Sequence, residues 1–272
     1  MPESTGASPA LDFDPAVKAF FQKFSWETYM SKHLKYLEIP AYDLESSLAI
    51  DQVCHITEQK VSDHDAKCLA TALTMMKPEN LKQIFLTAND IHDAGCIALA
   101  GALPHCPSFE LLYLARNYIG NAGLASIAER CSETNMWQLV LTENEAVGDD
   151  GVIALADAVT KAPGAAFTKL RWLFLDSTSV GDRGTEALAK AMIVGLPSIE
   201  RLALQNCKLT NKSLFALGDA IQKGALKKCQ YLYVQNNEFD HEGKAALKAA
   251  AKPRGIKVHY GWPPPLPGVD YD

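Results

Sequence analysis

His64 with Cys68, and His92 with Cys96, stand four residues apart, the spacing that sets two zinc-type ligands on one face of a helix. The run TENEAVGDDG offers Glu143, Glu145, Asp149 and Asp150 as oxygen ligands for calcium, but without the regular ligand spacing of a calcium loop. IGNAG and VGDRG have the glycine content of a phosphate-binding turn. Each group must be positioned by some element, and the pattern around it points to scaffold. His64 lies five residues past a marker position that recurs along the chain and His92 only three past the next, while both cysteines fall near core-facing helical positions. The acidic run reads as helix capping plus solvated charge, and the glycines recur because each turn needs a small residue. No Ser, His and Asp set stands out. The expectation is a non-enzyme with no metal and no cofactor.

Composition narrows the partners. The 272 residues are 48% apolar, enough to bury a substantial core, and carry a net charge of -6. Nucleic acid recognition needs a Lys/Arg patch that releases counterions, so a nucleic acid partner is not expected. MPESTGASPALDFDPAVKAF has no basic start followed by an apolar stretch, and eighteen apolar residues nowhere run together, so neither a leader nor a membrane span is read. Cysteines 54, 68, 96, 106, 131, 207 and 229 are odd in number and lack paired short spacing, which fits free thiols in a reducing compartment. The location expected is cytoplasmic, with the nucleus left open.

One rhythm organises the chain. FELLYLARNYIGNAGLASIAERC alternates apolar and polar residues as a strand does, then spaces Leu124, Ile127 and Ala128 as a helix does. LKQIFLTANDIHDAGCIALAGAL repeats it at the same offsets. Further copies contain Asn144, Thr178, Cys207 and Asn237 at the place of Asn89 and Asn117, and a weaker first copy has Gln59 there. The markers lie 27 to 30 apart, except for one gap of 34 that contains the insertion KAPGAAF. Four residues past most markers come Asp63, Asp93, Asn121, Asp182, Asn211 and His241, most of them read as N-caps. No single strand-turn-helix unit can bury its apolar face without neighbours.

The period and the pattern LxxLxLxxN/CxLxxxGxxxLxxxL resemble the ribonuclease-inhibitor type of leucine-rich repeat, over roughly residues 51 to 251. That resemblance implies an α/β right-handed solenoid, a horseshoe with parallel strands on the concave face and helices on the convex face. The marker residues Asn89, Asn117, Asn144, Thr178, Cys207 and Asn237 would then form a ladder that ties neighbouring turns. Strands about 4.8 Å apart beside helices roughly 8 to 10 Å apart turn each repeat by roughly 20 degrees, so seven copies make about half a ring. The divisions read are a helical cap over 1–46, seven repeats over 47–252, an edge strand over 253–262 and a proline-rich tail over 263–272. The N-terminal helix after Asp14-Pro15, with Val17, Phe20, Phe21 and Phe24 on one face, serves as a lid or alternatively docks a partner. WPPPLPGVDYD is a ligand for an SH3- or WW-type domain or a plain tail.

Alternation also assigns the outward side chains. Residues six and four before each marker face the concave wall and include Phe85, Tyr113, Trp172, Phe174, Arg201, Tyr231 and Tyr233. Trp, Tyr and Arg dominate interface energetics, so these seven are the candidate contacts for a protein or peptide partner. The competing reading is that the rings pack on one another. The function expected is an interaction module or scaffold. Alternatives are a regulator of a small GTPase, since some proteins of this repeat type activate Ran, and a structural part of a large assembly.

Overall fold

The computed structural model describes residues 12–24, 53–161 and 167–260. Eight short strands form one parallel sheet in sequence order: β1 Val53–His55, β2 Gln83–Phe85, β3 Leu111–Tyr113, β4 Gln138–Val140, β5 Trp172–Phe174, β6 Arg201–Ala203, β7 Tyr231–Tyr233 and β8 Lys257–His259. After each of the first seven strands comes a helix: α2 Asp63–Met76, α3 Asp93–Ala102, α4 Asn121–Arg130, α5 Asp149–Lys161, α6 Asp182–Val194, α7 Asn211–Gln222 and α8 His241–Ala251. The helix α1, Pro15–Lys23, precedes them all. Strands three residues long suffice because only their central residue, from Cys54 and Ile84 through Leu112, Leu139, Leu173 and Leu202 to Leu232, must reach the core. One continuous apolar core runs between sheet and helices from end to end. The architecture is the solenoid expected, with the sheet on one face and the helices on the other.

Marker asparagines bond across neighbouring turns. Asn117 Nδ2 donates to Leu86 O at 2.8 Å in the preceding repeat and to Leu114 O at 3.1 Å in its own, while its Oδ1 accepts from Ile91 N at 3.2 Å. Asn89, Asn144 and Asn237 make the same set. Backbone groups left unpaired by the bend after each strand are thereby satisfied. The residue before each marker adopts a left-handed conformation, as in Ala88 (φ 55°), Arg116 (φ 56°) and Glu143 (φ 57°). Thr178 and Cys207 substitute more sparsely: Thr178 Oγ1 donates to Leu175 O at 2.7 Å and touches Cys207 Sγ at 3.6 Å.

The helix starts depart from expectation. Asp63, Asp93, Asn121, Asp182, Asn211 and His241 are the first helical residues, and the N-caps are Ser62, His92, Gly120, Gly181, Thr210 and Asp240. All but His241 bond into the following repeat. Asp93 Oδ1 accepts from Gly120 N at 2.7 Å and Gly123 N at 2.8 Å, and Asn121 Oδ1 from Gly148 N at 2.8 Å and Gly151 N at 3.0 Å. The glycine two residues into a helix permits this approach, since a Cβ on Gly151 would lie 2.8 Å from Asn121 Oδ1. Close packing, rather than a turn, explains that glycine. Because Asn121 does the same work as Asp93, Asp93→Asn is expected to be nearly neutral in urea denaturation, whereas Asp93→Ala should lose about 1 to 2 kcal/mol.

At the start, Asp14 Oδ1 caps α1 by accepting from Ala16 N at 2.8 Å and Val17 N at 2.9 Å, as the Asp-Pro pair predicted. Val17, Phe20, Phe21 and Phe24 are buried, and Lys23 Nζ reaches Asp65 Oδ2 in α2 at 2.6 Å. At the other end Ile256 is buried and Val258 packs on the core from β8, which pairs with β7. Phe167 is likewise buried, while residues 162–166 of the insertion, the rest of the N-terminal cap and the proline-rich tail lie outside the described residues.

Candidate functional site

Strand register decides which side chains line up. Val53, Gln83, Leu111, Gln138, Trp172, Arg201, Tyr231 and Lys257 pair in sequence, and so do His55, Phe85, Tyr113, Val140, Phe174, Ala203, Tyr233 and His259. Two parallel columns therefore run along the face opposite the helices. All seven residues singled out from the sequence stand in them.

Burial separates those seven. Phe85, Tyr113, Trp172, Arg201 and Tyr231 are half-buried, but Phe174 is 1% exposed and Tyr233 4%. The expectation that these two rings face solvent is corrected. With Val140 and Ala203 they form a second, small apolar cluster on the concave side, against which Tyr113, Trp172 and Tyr231 pack. The small side chain of Ala203 leaves room between Phe174 and Tyr233, and His259 stacks on Tyr233 with centroids 4.8 Å apart. Two rings are thus the bed for the others.

The less buried residues form two groups. Toward the first repeats Phe85 stacks on Tyr113 at a centroid distance of 4.4 Å, and His55 meets Phe85 at a tilt with centroids 5.3 Å apart. Toward the last repeats Arg201 Cζ lies 4.2 Å from the Trp172 ring centroid and 5.4 Å from that of Tyr231, while Lys257 Nζ stands 5.3 Å from Tyr231. Aromatic rings and cations alternate across four strands. Lys257 and His259 escaped the sequence reading, although they flank Val258 within the edge strand read over 253–262, and alternation alone would have placed them here.

A polar strip borders the rings. Asp176, 1% exposed, accepts from Gln205 N at 3.2 Å and from Thr142 Oγ1 at 3.4 Å. Burial pushes its carboxyl up to about 7, against these opposing hydrogen bonds. Unfolded, it titrates near 4, so the native state holds the extra proton between about pH 4 and 7. That contribution to stability is complete below about pH 4 and is lost as pH rises toward 7. Asp176→Asn keeps both contacts and should flatten this decline, giving a variant more stable than the wild type above pH 7 in urea titrations across that range.

Of the groups that suggested metal chemistry, His64 Nε2 lies 3.8 Å from Cys68 Sγ, and the others are engaged elsewhere. Cys68 and Cys96 are buried in the core, and burial pushes the Cys96 thiol far up. His92 stacks on Tyr118 at 5.0 Å. In the acidic run, Asp149 Oδ1 accepts from Gly181 N at 2.7 Å and Glu143 faces Arg116 at 3.8 Å. Among the described residues no three His, Cys, Asp or Glu side chains converge to hold a metal ion. No helix among them is long and apolar enough to cross a membrane.

Repeated strand and helix, a parallel sheet in sequence order and a ladder of polar side chains at the bends give this chain the leucine-rich-repeat solenoid fold. A family model described as Leucine Rich repeat matches residues 78–100 and 134–156. Repeats of this kind generally mediate protein–protein interaction. Among solved structures the chain is similar to actin-binding site 2 of leiomodin-1, at 15% identity over 55% of this chain and 85% of that one, with TM-score 0.41. It is also similar to an internalin of Listeria monocytogenes, at 16% identity over 71% of this chain and 49% of that one, with TM-score 0.42. A protein of Bacteroides fragilis matches at 14% identity over 78% of this chain and 66% of that one, with TM-score 0.46. The chain thus spans about half of the internalin. No curated protein matches the sequence.

Proposed function

We propose that this chain is a non-enzymatic interaction module of the ribonuclease-inhibitor type, acting in the cytoplasm, that grips a protein partner on its concave wall. The observation that carries this reading is the run of half-buried Phe85, Tyr113, Trp172, Arg201 and Tyr231 in two adjacent columns on one rigid sheet. Soluble surfaces seldom collect aromatics in this way. Strand pairing fixes the contact residues beforehand, which lowers the ordering cost of association. Phe174 and Tyr233 serve as support beneath the contacts. The proline-rich tail is a second attachment point for an SH3- or WW-type domain.

Affinity purification with mass spectrometry tests the wall. The wild-type chain is compared with one carrying Tyr113→Ala, Trp172→Ala and Tyr231→Ala. Partners retained by the wild type and lost by the variant, with the variant still folded by circular dichroism, support the reading. Retention of every partner by a folded triple variant refutes it. A GTP hydrolysis assay with and without the chain separates this role from regulation of a small GTPase.

A further inference from the structure

The column across β5 to β8 has a chemistry more specific than apolar contact. The Arg201 guanidinium lies between the rings of Trp172 and Tyr231, and Lys257 lies over Tyr231 in turn. Stacking covers the faces of a guanidinium and leaves its N–H donors in the plane, where a carboxylate binds in bidentate fashion. Among the described residues the Arg201 side chain has no ion pair or hydrogen bond, and its buried Nη1 has no acceptor. The nearby carboxylates are engaged elsewhere: Arg171 Nε holds Glu200 Oε1 at 2.8 Å, and Asp176 is enclosed by Thr142 and Gln205. The Lys257 side chain is exposed and, among the described residues, makes only its ring contact. In a chain of net charge -6, this column offers two cations that the acids among the described residues leave free.

Spacing identifies what would match them. Arg201 and Lys257 sit in register two strands apart, on β6 and β8, a separation of about 9 to 10 Å at strand spacing. A polyproline II chain has three residues per turn and a rise of about 3.1 Å, so residues i and i+3 lie on one side about 9.3 Å apart. An extended β-strand places same-side residues only about 6.7 Å apart. Polyproline II chains also seat on aromatic rings and keep their carbonyls free to accept hydrogen bonds. Trp172 Nε1, buried without an acceptor, is one donor on this column.

We infer that Trp172, Arg201, Tyr231 and Lys257 form a receptor for an acidic polyproline II segment of a partner protein, with carboxylates three residues apart seated on Arg201 and Lys257. This inference rests on the concave-wall reading and adds to it the chemistry of the partner.

The test uses the full chain and dye-labelled peptides read by fluorescence anisotropy. The probe repeats Glu-Pro-Pro, and controls replace Glu by Gln or place the glutamates side by side. The expected result is binding of the Glu-Pro-Pro probe alone, weakened at least about tenfold by Arg201→Gln and by Lys257→Gln. Lys257 is solvent-exposed, so its substitution carries the test should Arg201→Gln unfold. Equal binding of the Gln probe, equal binding of the side-by-side probe, or indifference to Lys257→Gln overturns the proposal. Probe binding that appears only when Asp270→Asn and Asp272→Asn neutralise the chain's own tail assigns the column to that tail and also overturns it. If no probe binds while the triple aromatic variant still loses its partners, this inference falls and the wall reading stands; if the triple variant keeps them, both fall.

Discussion

Asn144→Ala is expected to cost about 3 kcal/mol or more, from the loss of at least two buried hydrogen bonds whose partners stay behind. Asn144 is fully buried, accepts from Ile119 N at 3.0 Å, and donates to Leu114 O at 2.9 Å and Leu141 O at 3.0 Å. Alanine leaves Ile119 N without this acceptor and Leu141 O without this donor, deep between two repeats. Asn144→Thr should cost less, because Thr178 does part of this work by donating to Leu175 O at 2.7 Å. Urea denaturation of the three proteins measures the order wild type, Thr, Ala. Equal stability of the alanine and threonine variants would show that the ladder contributes only packing.

Phe174→Ala should cost about 3 to 5 kcal/mol of stability, as for a buried ring in a core. Its place in a strand column suggested a contact residue whose loss would spare the fold, but it is 1% exposed among Val140, Ala203 and Tyr233. Trp172→Ala, at a half-buried neighbouring position, should instead lose little stability and much of the partner affinity. Paired denaturation and binding measurements separate the two. A Phe174→Ala chain as stable as the wild type would contradict the concave cluster.

The contrast between Phe174 and Trp172 marks where sequence reasoning stops. Alternation with period two establishes the face on which a side chain stands, and the repeat register aligned both columns correctly. Neither reveals how many atoms gather there. Phe174 is covered because Val140 and Ala203 beside it are small and Tyr233 lies beyond, a property of three neighbouring strands taken together. The helix starts show a second limit. Spacing located Asp93 and Asn121 correctly at the beginnings of α3 and α4, yet not the repeat into which they bond. A sign was present, since Gly95 and Gly123 follow those residues by two, and a helix that dispenses with a side chain there admits its neighbour. The spacings that suggested metal, calcium and phosphate chemistry are also the spacings of the scaffold.

Thr178 and Cys207 stand consecutively where the other described repeats from the second onward have asparagine, yet the joint between β5 and β6 is tied by other side chains: Asp182 accepts from Thr210 and Ser213, Arg171 holds Glu200, and Asp176 accepts from Gln205 N. A rod pulled by its ends yields first at its weakest couplings. Under tension or thermal agitation the middle of this spring, between Trp172 and Arg201, should therefore hold as firmly as the repeats on either side.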